Sequence, residues 1–391
     1  MKGIGRLAAA CATIGALVLA GCAGAGRPDD SVTTASTFGA IPLFNAQAQP
    51  LVPPPGATIE GHKVSPAAET KDLAVLAISG GGSDGAFGAG VLKGWTESGK
   101  RPRFNIVTGV STGALIATFA FLGPDWDDEI EKFYTEVTEE LIYADRGLAG
   151  VFQDSLYDTA PFRKMVEKVV TPALLDAVAA EHKAGRRLYV ATTDLDTGTI
   201  VVWDMGGIAA SSHAARVDTY RDVLVASAAF PGFFKPVYIR HSEAAGGKTR
   251  MHVDGGVKAP ILLRSFMVEG KQKAKTVYML VNGKLSLKTP ASGPVPATVV
   301  GISKRSISEL MRGLTYKTIY QGYVTARRAR SDFRILNVPD DAADIEDPLR
   351  FRPKEMRRLF DVGRALGRDP SSWQKEPPRL EPLERIDMVA R

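Results

Sequence analysis

Two glycine-bracketed motifs and one acidic turn are the stretches of this 391-residue chain whose residue types and spacing can do chemistry. The first is Gly109-Val110-Ser111-Thr112-Gly113, which interrupts an apolar run. A serine hydroxyl attacks a carbonyl only when a neighbouring base takes its proton, and only when nothing bulky stands beside it. Phe104, Ile106 and Val107 before the turn suit a buried strand, and Ala114 to Thr118 after it suits a helix packed on that strand. Strand, sharp turn and helix, with glycines on both sides of the serine, is the arrangement of a nucleophile elbow.

The second stretch is Ser79-Gly80-Gly81-Gly82-Ser83-Asp84-Gly85, directly after the apolar run Leu73 to Ile78 and before a helix-like segment from Ala86 to Glu97. Consecutive glycines opening a helix present backbone N–H groups at the positive end of its dipole, where an anion or a developing oxyanion can be held. Gly80, Gly82 and Gly85 also fit the spacing of a dinucleotide fingerprint. That reading requires an acidic residue about 20 positions further on, and Arg103 to Val107 offers only Asn105. A P-loop is excluded by the lack of Gly-Lys-Ser/Thr. The third stretch, Met251-His252-Val253-Asp254-Gly255-Gly256-Val257, puts an aspartate at the end of a short strand, which on its own is a turn.

In this order and at these separations the three stretches resemble the patatin-like phospholipase family, and Thr193 to Gly198 and Ala226 to Pro236 look like further parts of it. The resemblance runs from about Leu73 to Val281. It implies a three-layer α/β/α fold with a mainly parallel central sheet, and hydrolysis of lipid or phospholipid acyl esters without metal or cofactor. Carried over to this chain, it makes Ser111 the nucleophile, Asp254 its base, and the amides of Gly80, Gly81 and Gly82 the oxyanion hole. Gly85, Gly109, Gly113, Gly255 and Gly256 are the remaining motif glycines. Two positions depart from the family pattern: Asp84 stands where Arg or Lys is common in the glycine loop, and Lys258-Ala259-Pro260 where Asn-x-Pro is common. The alternative is an envelope lipoprotein that keeps the fold as a lipid-binding or interaction module.

The histidines offer little competition. His62 and His182 read as exposed, and His213 and His241 lie in segments without a partner motif. His252 is the rival base, because residues two apart on a strand share a face and Asp254 is its neighbour in that sense.

The elements that must position these groups follow from the alternation after Leu73: strand, glycine loop, helix, strand, elbow, helix. This pattern argues for a mainly parallel sheet with helices on both faces, whose reactive groups gather beyond the carboxyl ends of the strands. Asp125 to Thr138 and Pro161 to Val170 read as helices, Leu188 to Thr193 as a buried strand, and Ile200 to Trp203 as its neighbour. Thr276 to Val281 is the last expected sheet strand. Prolines from Pro290 to Pro296 mark a linker, followed by helical stretches near Ser303 to Ala329 and Pro353 to Leu366. The expected domains are therefore 71–285 for the hydrolase and 286–391 for a basic, partly helical C-terminal region.

The amino terminus reads differently. Lys2 and Arg6 precede an apolar run from Leu7 to Ala20 that is too short for a comfortable bilayer span. It ends in Leu19-Ala20-Gly21-Cys22, which resembles a bacterial lipoprotein signal. Residues 1–21 would be removed and Cys22 would become the lipidated terminus, with Ala23 favouring the outer membrane, facing the periplasm. Cys11, the only other cysteine, would leave with the signal. Residues 22–70 carry seven prolines among small and polar residues and read as a tether with a reach of roughly 35 to 42 Å.

The composition, 45% hydrophobic and 24% charged with a net charge of +6, is that of an ordinary globular protein. Between Lys304 and Arg334 eight basic residues face two acidic ones. Such a segment is a solvated face or a dock for anionic lipid headgroups. Nucleic acid is the poorer fit, since an envelope lipoprotein would seldom meet it. Partners are thus a lipid acyl ester and a membrane surface, reached through the anchor and the 304–334 segment; the sequence is silent on oligomeric state.

Overall fold

The computed structural model describes residues 72–378, apart from 148–149, 151–152, 242–247, 269–271, 273, 286–293 and 343–346, together with 41–42, 58–59 and 62–63. The signal segment 1–21 and Cys22 lie outside the described residues.

Alternation along the strands builds three layers. In β2 (Asp72–Ile78) the side chains of Leu73, Val75 and Ala77 enter one core and those of Leu76 and Ile78 the other. The same division holds for β3 (Ile106–Val110), β4 (Arg187–Asp194) and β8 (Ala274–Lys284). A strand buried on both faces has no polar side to show, which is why these segments read as nearly continuous apolar runs. One face is covered by α1 (Gly85–Glu97), α2 (Thr112–Leu122), α3 (Asp127–Glu136), α4 (Ala160–Val169), α5 (Pro172–Lys183), α6 (Arg216–Ser227) and α8 (Pro353–Arg368). The other is covered by the segment from Ala259 to Val268 and by the carboxyl half of α7 (Val299–Arg328), through Tyr316, Ile319 and Ala326.

The nine-stranded sheet runs in the order β1 (Ile41–Pro42), β5 (Thr199–Asp204), β4, β3, β2, β8, β9 (Asp332–Val338). From β4 to β9 the pairs are parallel, whereas β5 is antiparallel to both β4 and β1. The fold is thus the expected three-layer α/β/α architecture with a mainly parallel sheet and a C-terminal helix. Strand β9 corrects the expectation that Thr276 to Val281 ends the sheet. Phe333, Ile335, Leu336 and Val338 are its buried residues, interleaved with Asp332, Arg334 and Asn337 at the end of a basic segment, so the run has no clear apolar signature. Among the described residues after Leu285, this strand, α7 and α8 join the same sheet and core.

A second edge of β4 places the site. Strand β3 stops at Val110, opposite Ala191, but β4 continues for three more residues. There it pairs with β7 (Thr249–Asp254), which runs the other way, Asp254 lying opposite Thr192; β6 (Val237–Arg240) pairs with β7 in turn. The ends of β3 and β7 therefore meet head to head on one edge of β4, and Ser111 and Asp254 are the residues at which they meet.

Candidate active site

The elbow forms because α2 must leave β3 at once and fold back over β2. Ser111 takes the strain of that turn, with φ 56° and ψ −129°. A positive φ in a residue that bears a Cβ costs of order 1–3 kcal/mol and persists only where the surroundings hold it. Here the Ser111 N–H donates to Ser227 Oγ (2.9 Å), and the Ser227 hydroxyl donates to Ala191 O (2.8 Å). The Tyr134 hydroxyl, brought by α3, donates to Thr112 O and lies 2.5 Å from Thr112 Oγ1, pinning the first turn of α2. The glycines of the elbow are required by close approach: a Cβ on Gly113 would sit 2.4 Å from Ser79 O, and one on Gly109 2.2 Å from Gly113 O.

Asp254 is buried, its carboxylate accepts from Gly256 N–H (2.7 Å), and the Ser111 side chain is its near neighbour. Its own N–H donates to Ala229 O (2.9 Å), and Thr193 Oγ1 donates to Asp254 O (3.0 Å). Burial pushes the carboxyl up to about 6, against the lowering effect of the nearby Ser111 side chain and the Gly256 N–H. The site so far consists of a strained serine in contact with a carboxylate that is more basic than an exposed one.

The glycine loop is held from three sides. Gly80 N–H donates to Pro260 O (3.0 Å), Ser83 N–H to Pro348 O (2.9 Å), and Asn282 binds both Oγ and O of Ser79. Gly81 (φ 155°) and Gly82 (φ 57°) have conformations that favour glycine, and a Cβ on either would lie 2.1 Å from a backbone oxygen, of Asn282 or Pro348 respectively. Gly80 is the loop residue closest to the nucleophile: a Cβ added to it would fall 3.0 Å from Ser111 Cβ. Its amide is nonetheless spent on Pro260, which corrects the expectation that all three amides serve an oxyanion. Among the described residues, Gly81 and Gly82 donate no backbone hydrogen bond. Gly85 abuts Thr112 and Tyr134, and Gly255 abuts Ala191 O. Asp84, half-buried at the N-cap of α1, is part of the cavity wall and lies at the positive end of the helix dipole.

Ser111 and Asp254 open into a cavity of about 1070 Å³, at the upper end of the usual range of about 300 to 1,000 Å³ for ligand pockets. Its apolar part is walled by Leu115, Phe133, Ile142, Phe162, Phe230 and Phe234. The amino half of α7 closes another side through Lys304, Ser308, Met311 and Thr315.

His252 does not serve Ser111. Its Nδ1 lies 2.9 Å from Thr192 Oγ1 and its Nε2 2.9 Å from His241 Nε2, so both ring nitrogens are engaged. Burial lowers both imidazoles, to about 3 for His252 and about 4 for His241, and the pair is neutral at pH 7. Asp194, His241 and His252 hold ligand atoms within 4.8 Å of one another, the one such set among the described residues. Their geometry is that of a hydrogen-bonded pair. With ring centroids 5.1 Å apart and planes 16° apart, the two Nε2 atoms point at each other across 2.9 Å. A metal about 2.0 Å from each nitrogen would have to leave both lone-pair axes, and Asp194 already accepts from Thr197, Asp196 and Arg250. His182, expected to be exposed, is half-buried with Nδ1 3.6 Å from Asp204.

Sequence reasoning missed Ser227, Tyr134, Asn282 and Pro348 as supports. Only Ser227 had a signal, its place in the Ala226 to Pro236 stretch; the others are brought in by tertiary packing.

Residues 76–267 match the family described as patatin-like phospholipase. No curated protein matches the chain significantly. Among solved structures the chain is similar to VipD from Legionella pneumophila, at 12% identity and a TM-score of 0.39, over 86% of this chain and 71% of that one. It is also similar to the type III effector protein ExoU, at 13% identity and a TM-score of 0.27, over 78% of this chain and 54% of that one. A third similarity is to the complex of SpcU and ExoU from Pseudomonas aeruginosa, at 13% identity and a TM-score of 0.27, over 76% and 53%. The chain thus spans about half the length of the two ExoU-containing matches.

Proposed function

Residues 76–267 of this chain belong to the patatin-like phospholipase family, and from that premise we propose that it is a lipid acyl-ester hydrolase working through Ser111 and Asp254. The observation that carries the reading is the meeting of a strained Ser111 and the buried Asp254 carboxylate in the wall of one largely apolar cavity.

In the proposed reaction Ser111 Oγ attacks the ester carbonyl as its proton passes to Asp254. The negative charge that develops on the carbonyl oxygen is met by the Gly81 and Gly82 N–H groups at the start of α1. Ser111 N–H takes no part, because it is bound to Ser227. Asp254 returns the proton to the leaving alkoxide, an acyl-enzyme remains, and Asp254 then takes a proton from the attacking water and passes it to Ser111 Oγ as the carboxylic acid departs. A carboxylate raised to about 6 is a better base at neutral pH than an ordinary one.

The protein is further proposed to be held in the cell envelope by lipid on Cys22, facing the periplasm, with the basic 304–334 segment as a second contact with the membrane.

The test is covalent labelling by a fluorophosphonate, which requires an activated as well as an accessible serine. Label is expected on Ser111 in the wild type and none in Ser111→Ala. A folded wild type that takes no label would instead favour a lipid-binding module without chemistry.

A further inference from the structure

The longest helix among the described residues is two-sided in an unusual place. Over the first four turns of α7, from Val299 to Thr315, no residue is buried; burial starts at Tyr316. At 100° per residue, Gly301, Lys304, Ser308, Met311 and Thr315 share one face, and all five line the cavity that holds Ser111. Met311 Cε lies 2.6 Å from where a Cβ on Gly256 would sit, two residues from Asp254. Val299, Ile302 and Leu310 lie on the opposite face, with Ser303 and Ser306 between them, and they are 82%, 55% and 69% exposed. Val295, which lines the cavity, and Val300 are exposed as well. Exposed apolar groups clustered on one helix face mark a contact site rather than ordinary surface.

We propose that this outer face of α7 is the surface on which the protein docks to a lipid bilayer carrying anionic phospholipid, so that the cavity behind the helix faces its substrate. Two observations choose a bilayer over another occupant. Of the helix's six basic side chains, Lys304, Arg305 and Arg312 line the cavity, whereas Lys317 and Arg328 continue the line of Val299 and Leu310 at 100° per residue, a placement that suits an anionic surface. The docking face is also continuous with the cavity: one helix supplies the inner wall on one side and the apolar stripe on the other. Seating Val299, Ile302 and Leu310 in the interface brings the mouth of the cavity to the headgroups. The Arg327-Arg328 end lies about 42 Å along the helix from Val299 at 1.5 Å per residue, so it is not the part that addresses the cavity.

The inference rests on the proposed hydrolase reading, and the experiment separates the two. Full-length wild type is compared with the triple variant Val299→Glu, Ile302→Glu, Leu310→Glu, all on exposed positions. Hydrolysis of vesicles of equal parts phosphatidylglycerol and phosphatidylcholine is expected to fall tenfold or more, while turnover of a water-soluble short-chain ester stays within twofold. A second readout needs no hydrolysis: a polarity-sensitive fluorophore on Leu310→Cys, in a full-length chain carrying Cys11→Ser and Cys22→Ser. On adding these vesicles it is expected to shift blue and be quenched by nitroxide-bearing lipid. An unresponsive Leu310→Cys probe overturns the docking surface even if the enzyme is active. Equal loss of both activities in the triple variant also overturns it, since the helix would then only shape the cavity. A wild-type dimer that the variant dissolves, with vesicle hydrolysis unchanged, assigns the face to a second copy. No ester turnover by the wild type, with the probe still responding, rejects the hydrolase reading and keeps the docking surface.

Discussion

Ser111 and Asp254 make contact, and His252 is occupied elsewhere, so the residue-scale predictions concern a two-residue unit. Ser111→Ala and Asp254→Asn are each expected to lower kcat by at least ~10³, with the double variant little worse than either, because the two act as one unit. His252→Gln should keep most activity. Steady-state kinetics on a soluble ester check all four; a near wild-type Asp254→Asn together with an inactive His252→Gln would replace the dyad with a histidine base. The raised carboxyl adds a pH signature. Below about 6, kcat/KM should fall tenfold per pH unit as Asp254 takes up a proton. The same shift acts on stability with a definite sign. A carboxyl whose folded pKa exceeds its unfolded value favours the fold when protonated, so its contribution is complete below pH 4 and is lost as pH rises through 6. A shift of about two units corresponds to about 3 kcal/mol. The unfolding free energy of Asp254→Asn minus that of wild type should therefore rise by that order between pH 4 and pH 7; a difference that stays flat would show that Asp254 is not strained by its burial.

Among the elements, the packing of α8 on α1 decides how well the glycine loop is held. The two helices touch backbone to backbone: a Cβ on Gly90 or Gly94 would lie 2.0 Å from Phe360 O or Arg364 O, and one on Gly363 or Gly367 2.2 Å from Phe87 O or Val91 O. Glu97 at the end of α1 binds both Arg364 and Arg368. Because α1 begins at the glycine loop and Pro348 O, shortly before α8, holds Ser83, a shift of one helix is passed to the other end of the loop. In a free helix, Gly94→Ala would stabilise by about 1 kcal/mol. Here the sign should reverse, to a destabilisation of about 1–3 kcal/mol from overpacking, with a parallel loss of soluble-ester turnover. Urea unfolding decides between the two signs.

At the scale of the whole molecule, the proposed anchor and the α7 face are separate devices. Among the described residues no helix is long and apolar enough to cross a membrane, and Cys22 lies outside them. Cys22→Ser is expected to give a soluble or uncleaved product on cell fractionation, since the lipid chains would supply the attachment. Normal processing with retention on membranes in high salt would sink the lipoprotein reading. Linkage between the two devices is geometric: a tether with a reach of roughly 35 to 42 Å lets the catalytic domain turn until its docking face meets the bilayer.

The sequence by itself determined the elbow, the glycine loop, the aspartate and the parallel α/β architecture, because each is written in local terms: glycines where a Cβ would collide, and apolar runs where a strand is buried on both faces. Only the tertiary structure decided which groups in those motifs are free to act. Gly80 looks like its neighbours in the sequence, yet its N–H is bound to Pro260, 180 positions away in the chain. His252 looks like a partner for Asp254, yet Thr192 on β4 and His241 beside β6 engage both its ring nitrogens. Strand β9 was hidden for the same reason, since the pairing of Phe333 and Ile335 with β8 depends on the parallel register and not on a pattern of their own. Hydrogen bonds and strand pairings of this kind join residues far apart in sequence, and no local periodicity carries them.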